Sequence, residues 1–302
     1  MKVLFVTAEA YPLVKTGGLA DVAGALPAAL VEIGEDVRLL MPAYPPALDG
    51  IEAKTEPVSL GEVMGAGFVS LIGGRMPGSG VPVWLVDCPN LFGRLGNPYV
   101  GPDGRDWLDN HLRFALLSRV AAMVGTSGCL AERLNGWRPH VLHANDWQTG
   151  LVPAYLRMWG ARRPATVFTV HNLAFQGRFD SKILPAIELP VECFSMNGTE
   201  FYGSVSYLKA GLYYSDRITT VSPTYAHEIE TSEEGMGLQG LLRTRHKDLI
   251  GILNGEDPNL WNPATDPEIP HHFTRDHLAG KDADKAALQV EMGLAPNPAA
   301  PL

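Results

Sequence analysis

The sequence predicts an α/β protein with a parallel, doubly wound β-sheet. Two patterns support this fold class. Short apolar runs rich in β-branched residues, typical of buried parallel strands, alternate along the chain with longer segments of helical periodicity. The first such unit joins a strand at residues 2–7, a helix at 19–30 that Gly34 stops, and a strand at 37–41.

The same alternation continues through the rest of the chain. Further strands are predicted at residues 81–86, 141–143, 165–170, 217–221 and 249–253. Helices are predicted at residues 108–124, 151–159, 205–214 and 282–292, and another opens at Pro223 and Thr224. Residues 44–80 are rich in glycine and proline, and strands in a hairpin are one interpretation of them.

Composition limits the classes of function. The chain has 302 residues, 46% of them apolar, which is enough for a substantial core. Its formal net charge is −9, and no basic stripe of the kind that binds nucleic acid is visible. An acidic protein can still bind an anionic nucleotide, because such a site needs only local positive charge and free N–H groups. We therefore expect no nucleic-acid partner and leave a nucleotide substrate open.

The N-terminal apolar run and the cysteines argue against further classes. The run at residues 3–6 is far too short for a signal peptide or a membrane span, so a cytoplasmic, soluble protein without a membrane partner is expected. Cys88, Cys129 and Cys193 are widely spaced and form no CxxC pair. This pattern supports neither a disulfide framework nor a zinc site, and each cysteine is expected to be a small buried residue.

Polar clusters follow four of the predicted strands. They are residues 9–18, 143–147, 171–172 and 254–255. Ligands of open parallel sheets bind at the carboxyl ends of the strands, and these ends share one edge of the sheet. We therefore expect the four clusters to line one cleft.

The first cluster contains Lys15-Thr16-Gly17-Gly18 directly before a helix. Glycines let the backbone approach a ligand closely, the helix N-terminus offers unpaired N–H groups, and Lys15 adds a mobile cation. This combination suits a diphosphate, and the alternative is an ordinary tight turn with a solvated lysine. The spacing is neither GxxxxGK[ST] nor GxGxxG, which disfavours a P-loop or an NAD site.

The remaining clusters offer groups that suit sugar hydroxyls, each with a simpler alternative. Asp146 is either a buried carboxylate that binds a sugar or the cap of a helix starting near Thr149. His171, beside Asn172 at a strand end, is either a sugar ligand or a core histidine with satisfied hydrogen bonds. Asn254 precedes Gly255, and the pair also fits a plain turn.

Tyr99 is a loop residue outside the four clusters. It follows Asn97-Pro98. Its ring either faces a base or a sugar, or the residue has no role beyond its loop.

Together these segments resemble the glycogen and starch synthase family. The stretches KTGGLADVAGALP, HANDWQTG, HNLAFQG and ILNGEDP carry the resemblance, and they occur in the family's order. The resemblance implies two Rossmann-like domains facing across a deep cleft (the GT-B fold), with no metal and no cofactor. It also implies retaining transfer of glucose from ADP-glucose to the 4-hydroxyl at the non-reducing end of an α-1,4-glucan.

The resemblance further implies roles for three catalytic residues. Lys15 is expected at the donor diphosphate. His171 is expected at the transferred glucosyl unit, where its backbone carbonyl stabilises an oxocarbenium-like transition state. Asp146 is expected to bind hydroxyls of the donor or acceptor.

Five further residues are expected to bind substrate. The backbones of Gly17 and Gly18 are implied to contact the donor diphosphate and sugar, and Asp21 is implied to belong to the same cleft. Tyr99 is implied to help place the sugar or nucleotide, and Asn254 to bind sugar hydroxyls.

Domain boundaries are also implied by the resemblance. Residues 1–292 are expected to form the N-terminal catalytic domain and residues 293–302 a linker cut short, with the second Rossmann-like domain absent. Because that domain supplies an Arg, a Lys and most of the adenosine pocket in the family, we expect little or no synthase activity from the chain alone. Two departures are Asn145, where a His is frequent, and Glu256, where an apolar residue is usual. Neither is expected to touch the core motifs, but Glu256 adjoins Asn254 and is expected to alter the local charge there.

Two rival hypotheses stay open. The chain is alternatively a non-catalytic glucan-binding module derived from the same fold. A synthase that uses UDP-glucose is the other alternative, since base recognition lies largely in the family's second domain.

Overall fold

The structure is a computed structural model that describes residues 1–158, 163–258 and 260–302. These residues form two compact units, Met1–Asn254 and Gly255–Leu302. The expected domain over residues 1–292 extends across both units, and it stays a prediction. Trp159, the last residue of the helix predicted at 151–159, lies outside the described residues.

A nine-stranded sheet forms the centre of the first unit. Its strands are β1 (Lys2–Val6), β2 (Asp36–Pro42), β3 (Val58–Glu62), β4 (Phe68–Arg75), β5 (Pro82–Asp87), β6 (Val141–Asn145), β7 (Ala165–Val170), β11 (Arg217–Thr220) and β12 (Leu249–Gly251). Across the sheet they run in the order β12-β11-β7-β6-β1-β2-β5-β4-β3. β3 pairs antiparallel with β4 and β4 with β5, whereas the other pairs are parallel. The predicted α/β class with a mostly parallel sheet is therefore confirmed, and the glycine-rich region forms the β3–β4 hairpin.

A smaller sheet and the helices complete the described chain. The small sheet contains β8 (Arg178–Asp180), β9 (Glu200–Phe201) and β10 (Ser204–Ser206) in the order β8-β10-β9. The helices are α1 (Gly18–Glu32), α2 (Pro45–Gly50), α3 (Pro89–Phe92), α4 (Asn110–Thr126), α5 (Gly128–Arg133), α6 (Val152–Met158), α7 (Tyr207–Tyr214), α8 (Pro223–Glu228), α9 (Gln239–Thr244) and α10 (Ala279–Glu291). Within these ranges no helix combines the length and apolarity needed to cross a membrane.

Burial explains why the central strands could be predicted from the sequence. Leu4, Phe5 and Val6 of β1 are all fully buried, because β1 lies between β2 and β6 in the middle of the sheet. A strand buried on both faces is continuously apolar rather than alternating. Such a run has few other interpretations, so the predicted and observed bounds of β1 agree closely.

One predicted helix begins later than expected. The helix predicted at 205–214 starts at Tyr207, since Ser204–Ser206 forms β10. The Ser206 side chain accepts a hydrogen bond of 3.1 Å from the backbone N–H of Lys209. Ser206 is therefore the N-cap of α7, and a serine in this role ends the preceding strand as it starts the helix.

The cysteine prediction is only partly correct. Cys88 is buried, but Cys193 is half-buried and Cys129 is exposed. Cys129 lies in the first turn of the short helix α5. Its spacing in the sequence did not indicate which side of that turn faces the core.

The second unit is organised around α10. Gln289 is buried, and its side chain bonds twice to the backbone of Asn297, donating to the carbonyl at 3.2 Å and accepting from the N–H at 3.0 Å. The Lys285 ammonium donates to the carbonyl oxygen of Pro298 at 2.8 Å. Residues after α10, expected to be a linker, thus fold back along the helix.

Candidate active site

All four polar clusters follow parallel strands of the large sheet and leave it at the same edge, and three of them follow neighbouring strands. β6 pairs parallel with both β1 and β7, so the loops that follow these three strands begin side by side. The loop after β1 carries Glu9 to Gly18, the loop after β6 begins at Asp146, and the loop after β7 begins at His171. The clusters therefore share one edge of the sheet as predicted, whereas the expectation that they line one cleft stays a prediction.

Glu9 organises the glycine-containing loop. Its side chain is buried, with 3% of the residue exposed. Oε2 accepts hydrogen bonds from the backbone N–H groups of Thr16 and Gly17, the latter at 3.3 Å. Oε1 accepts a hydrogen bond of 2.9 Å from the hydroxyl of Tyr99. One carboxylate therefore ties the loop before α1 to a second loop far along the chain.

Tyr99 is fixed from behind by α4. Asn110 donates to the carbonyl of Tyr99 at 2.8 Å. Arg113, which is almost fully buried, donates to the carbonyl of Pro98 and to the side-chain oxygen of Asn110, both at 2.7 Å. Burial, with the negative charge of Glu9 as a smaller contribution, raises the pKa of Tyr99 well above its usual value. Tyr99 therefore keeps its proton and remains a donor to Glu9.

Lys15 and Asp21 form an exposed pair at the mouth of the same loop. The ammonium of Lys15 lies 2.7 Å from Oδ1 of Asp21, and the two side chains are 46% and 39% exposed. The ammonium also lies 5.7 Å from the centre of the Tyr11 ring. Pairs this exposed contribute little to stability, so an incoming anion can replace Asp21 at low cost.

Gly17 and Gly18 border open space. A Cβ atom built on either residue meets nothing within 4 Å. Gly17 precedes α1, whose first N–H groups lack partners within the helix. Because Gly17 donates its own N–H to Glu9 and Ala20 donates to the carbonyl of Gly17 at 3.2 Å, an anion at this helix start has the amides of Gly18 and Leu19. This refines the expectation that both glycines contact a diphosphate through their backbones.

Asp146 has an unusual backbone conformation. Its φ is 55° and its ψ is −179°, a region that glycine occupies almost alone and that costs other residues on the order of 1–3 kcal/mol. The residue precedes a short 3-10 helix at Trp147–Thr149, but its side chain makes no capping hydrogen bond there. The side chain of Asp146 therefore does not cap this helix. Oδ1 instead accepts a hydrogen bond of 2.7 Å from the backbone N–H of His171.

Burial controls the charge of Asp146. Burial, with a small addition from the charge of Glu9, raises the pKa of Asp146 to about 7, although backbone hydrogen bonds from His171 and Asn172 act in the opposite direction. Near neutral pH this carboxyl group is divided between its charged and neutral forms.

His171 is held by Asn145. Its Nε2 lies 3.1 Å from Oδ1 of Asn145, while the amide nitrogen of Asn145 donates to the carbonyl of Val6 at 3.1 Å. Since the Asn145 oxygen is the acceptor, Nε2 of His171 carries the hydrogen. Burial lowers the pKa of His171 to about 4, so the ring is neutral at pH 7. The expectation that Asn145 does not touch the core motifs is wrong.

His143 belongs to a line of polar groups on the sheet. Its Nε2 lies 2.6 Å from Oγ1 of Thr169, and that oxygen lies 2.6 Å from Oγ1 of Thr219. Burial, with His171 as a smaller cause, lowers the pKa of His143 to about 4. A neutral His143 is thus bonded within the sheet and is not directed at the edge loops.

Asn254 lies apart from the other predicted site residues. It follows β12, the end strand of the sheet, with β11 and β7 between it and β6. Its side chain is exposed, and among the described residues it makes no hydrogen bond to the His171 cluster. Its expected sugar-binding role stays a prediction, as does the effect of Glu256. The described residues also contain no group of three or more His, Cys, Asp or Glu side chains placed to hold a metal ion.

Two residues of this site were not singled out from the sequence. Glu9 was noted only as the start of a cluster, and Asn145 only as a departure from the family. Both are buried polar residues directly after or within central strands. That position was the available signal, because a buried carboxylate or amide must be matched by nearby donors or acceptors.

The fold is that of a GT-B glycosyltransferase catalytic domain. The solved catalytic domain of starch synthase IV from Arabidopsis thaliana, bound to ADP and acarbose, matches with a TM-score of 0.79 and 31% identity over 97% of this chain and 59% of that one. Residues 2–244 match the family model of the starch synthase catalytic domain. The chain belongs to this family.

Bacterial relatives agree with that assignment. The chain is 58% identical to a glycogen synthase of Paramagnetospirillum magneticum, over 100% of this chain and 61% of that protein. It is 55% identical to a glycogen synthase of Rhodospirillum rubrum, over 97% of this chain and 60% of that protein. The chain therefore spans about 60% of the length of the relatives it matches.

Proposed function

We propose that the chain is part of a glycogen synthase that transfers glucose from ADP-glucose to the non-reducing end of an α-1,4-glucan, with retention at the anomeric carbon. Membership of the family and the names of the bacterial relatives support the reaction. The ADP and acarbose bound to the solved starch synthase IV domain support the two ligand classes. The edge of the sheet where Lys15, Asp146 and His171 converge is the proposed wall of the active site.

The donor diphosphate is assigned to the loop before α1. The first turn of α1 offers free N–H groups and the positive end of the helix dipole, and the space beside Gly17 and Gly18 is open. Lys15 exchanges Asp21 for the phosphates. Glu9 takes no part in binding, but it holds the loop in the conformation that leaves the helix terminus open.

The transferred glucose is assigned to the loops after β6 and β7. Neutral His171 leaves Nδ1 as an acceptor for a sugar hydroxyl, and its backbone carbonyl is proposed to face the anomeric carbon as positive charge develops there. Asp146 accepts from the backbone of His171 and is proposed to bind a sugar hydroxyl with its second oxygen. Groups already fixed by hydrogen bonds stabilise a transition state without having to reorganise.

The observation that carries the proposal is the bond between the carboxylate of Asp146 and the N–H of His171. It holds Asp146 in a conformation that costs free energy, at the edge where ligands of parallel sheets bind. Strain of this kind persists when function maintains it.

Binding by the chain itself tests the proposal. Calorimetric titration of the purified chain with ADP-glucose, UDP-glucose and maltoheptaose is expected to show saturable binding of ADP-glucose and of maltoheptaose. Lys15→Met is expected to weaken ADP-glucose binding and to leave maltoheptaose binding unchanged. Absence of binding for both ligands, or ADP-glucose binding that does not respond to the loss of Lys15, contradicts the proposal. UDP-glucose is expected to bind this chain about as well as ADP-glucose, because base recognition lies largely in the family's second domain.

A further inference from the structure

The start of the loop after β7 is held from both sides. β7 lies between β6 and β11 in the large sheet, so the loops that follow both neighbours reach residues 170–173. On the β6 side, Asp146 accepts a hydrogen bond of 2.7 Å from the backbone N–H of His171. On the β11 side, the hydroxyl of Thr220 donates to the carbonyl of Val170 at 2.8 Å. The site described above uses the β6 side alone.

Tyr225 makes a second contact from the β11 side. Its hydroxyl oxygen accepts a hydrogen bond of 3.1 Å from the backbone N–H of Leu173. Leu173 is fully buried, so water cannot readily replace this acceptor if it is removed. One phenol oxygen therefore anchors the backbone two residues after His171.

Local structure fixes the position of Tyr225. The residue lies in the first turn of α8, where the hydroxyl of Ser222 accepts from the Tyr225 backbone N–H at 2.9 Å and Pro223 occupies the start of the helix. A capping serine and a proline at the first helical position both favour the start of a helix. Since α8 closely follows β11, and β11 pairs with β7, the tyrosine is brought to the loop after β7.

The two anchored N–H groups flank the carbonyl of His171. The peptide group before His171 is held by Asp146, and the peptide group before Leu173 is held by Tyr225. Because peptide groups are planar, fixing one on each side leaves the carbonyl of His171 little freedom to turn. Within the part of the chain that the structure describes, this carbonyl accepts no hydrogen bond. It is therefore oriented and open to a ligand.

We propose that Tyr225 is a positioning residue for glucosyl transfer, which sets the direction of the His171 carbonyl by holding the N–H of Leu173. The proposal rests on the proposed function, because that function supplies the glucosyl unit and the role of the carbonyl. It adds a residue from α8 that acts through the backbone of the loop after β7. Loss of its hydroxyl is expected to affect binding of the glucose part of the donor and to spare the diphosphate part, which is assigned to the loop before α1.

A comparison of two ligands tests this division. Calorimetric titration of the purified chain with ADP-glucose and with ADP measures binding with and without the glucosyl unit. Tyr225→Phe is expected to weaken ADP-glucose binding roughly three- to tenfold, the size of one hydrogen bond, and to leave ADP binding unchanged. Lys15→Met is expected to weaken binding of both ligands, since both contain the diphosphate.

Amide hydrogen exchange measures the contact itself. In the unliganded Tyr225→Phe chain, the Leu173 amide is expected to exchange roughly tenfold faster relative to the amides of β7, because its N–H has lost the acceptor. Tyr155→Phe is the matched control. It removes another buried hydroxyl, which donates to the carbonyl of Ile187 at 2.6 Å, and it should change neither the relative exchange of Leu173 nor the ratio of the two affinities.

Each outcome decides between the two ideas. If Tyr225→Phe keeps the original ratio of ADP-glucose affinity to ADP affinity, Tyr225 does not position the glucose site, whereas the proposed function stands as long as the original chain binds ADP-glucose. If the ratio falls while exchange at Leu173 is unchanged, the hydroxyl acts on the glucose directly and the positioning role is overturned. If the original chain binds neither ligand, the proposed function fails, and the role of Tyr225 fails with it.

Discussion

The interior and the mouth of the proposed site are built in opposite ways. In the interior, Glu9, Asp146 and Asn145 are buried, and each is bonded to a partner from another loop or strand. At the mouth, the exposed side chains of Lys15 and Asp21 form an ion pair with each other. The interior is therefore organised before any ligand arrives, and the mouth is free to change partners.

This difference predicts which substitutions change the stability of the chain and which change only its binding of ligands. A buried polar group costs free energy when its partner is removed, because it cannot recover a bond to water. An exposed ion pair loses almost nothing, because water replaces the partner. Substitutions in the interior should thus change stability and binding together, while substitutions at the mouth should change binding alone.

The largest expected effect is that of Asp146→Asn on stability at alkaline pH. The pKa of Asp146 is raised from 3.8 to about 7, so the native state keeps a proton that the unfolded chain releases. Stability is therefore lost through this residue as pH rises from about 4 to about 7. The variant is expected to be more stable than the original chain at pH 8, on the order of 3 kcal/mol, and nearly equal to it at pH 4.

Urea unfolding across this pH range measures the difference. His143 and His171, whose pKa values are lowered to about 4, act in the opposite direction and lose stability as pH falls from about 6.5 to about 4. Comparing the variant with the original chain at each pH isolates the contribution of Asp146. The exposed Asp49→Asn is the control. A constant difference at all pH values would contradict the assigned burial of Asp146.

Glu9→Gln is expected to destabilise the chain by about 2 kcal/mol. The amide nitrogen cannot accept a hydrogen bond, so either the N–H groups of Thr16 and Gly17 lose their acceptor or the Tyr99 hydroxyl loses the acceptor for its own proton. ADP-glucose binding should weaken as well, because the loop is no longer held. Urea unfolding at pH 7 and calorimetry measure the two effects, and Glu32→Gln at the exposed end of α1 should change neither. Full stability in Glu9→Gln would show that the network does not organise the loop.

Asn145→Ala is expected to cost about 1–2 kcal/mol and to release His171. Without the amide group, Nε2–H of His171 loses its acceptor and the carbonyl of Val6 loses one donor. Nitrogen chemical shifts of the His171 ring should move from a single Nε2–H tautomer toward a mixture of tautomers. An unchanged tautomer would show that another group positions the ring.

The smallest stability effect is expected at the mouth. Lys15→Met and Asp21→Asn should each change the free energy of unfolding by less than about 0.5 kcal/mol. Lys15→Met should nevertheless weaken ADP-glucose binding roughly tenfold, since the diphosphate loses its mobile cation. A large loss of stability in either variant would remove the contrast between interior and mouth.

The sequence by itself determined the architecture of the large sheet and the edge at which its loops lie. Continuous apolar runs such as β1 specify buried parallel strands, and parallel strands place their following loops at one edge. The convergence of the loops that carry Lys15, Asp146 and His171 follows from that local information. The position of the two glycines at the start of α1 was also predictable from the sequence, because the order strand, loop, helix fixes it.

The tertiary structure alone decided which polar groups meet. Glu9 and Tyr99 are 90 positions apart in the chain, and the turn at Gly237 packs against the rings of Phe201 and Tyr202. Asn145 became a positioning residue only because His171 arrives beside it from the next strand. Sequence periodicity shows which face of an element is buried. Whether a charged group is buried, or a turn is strained, depends on segments that are distant in sequence and meet only in the folded chain.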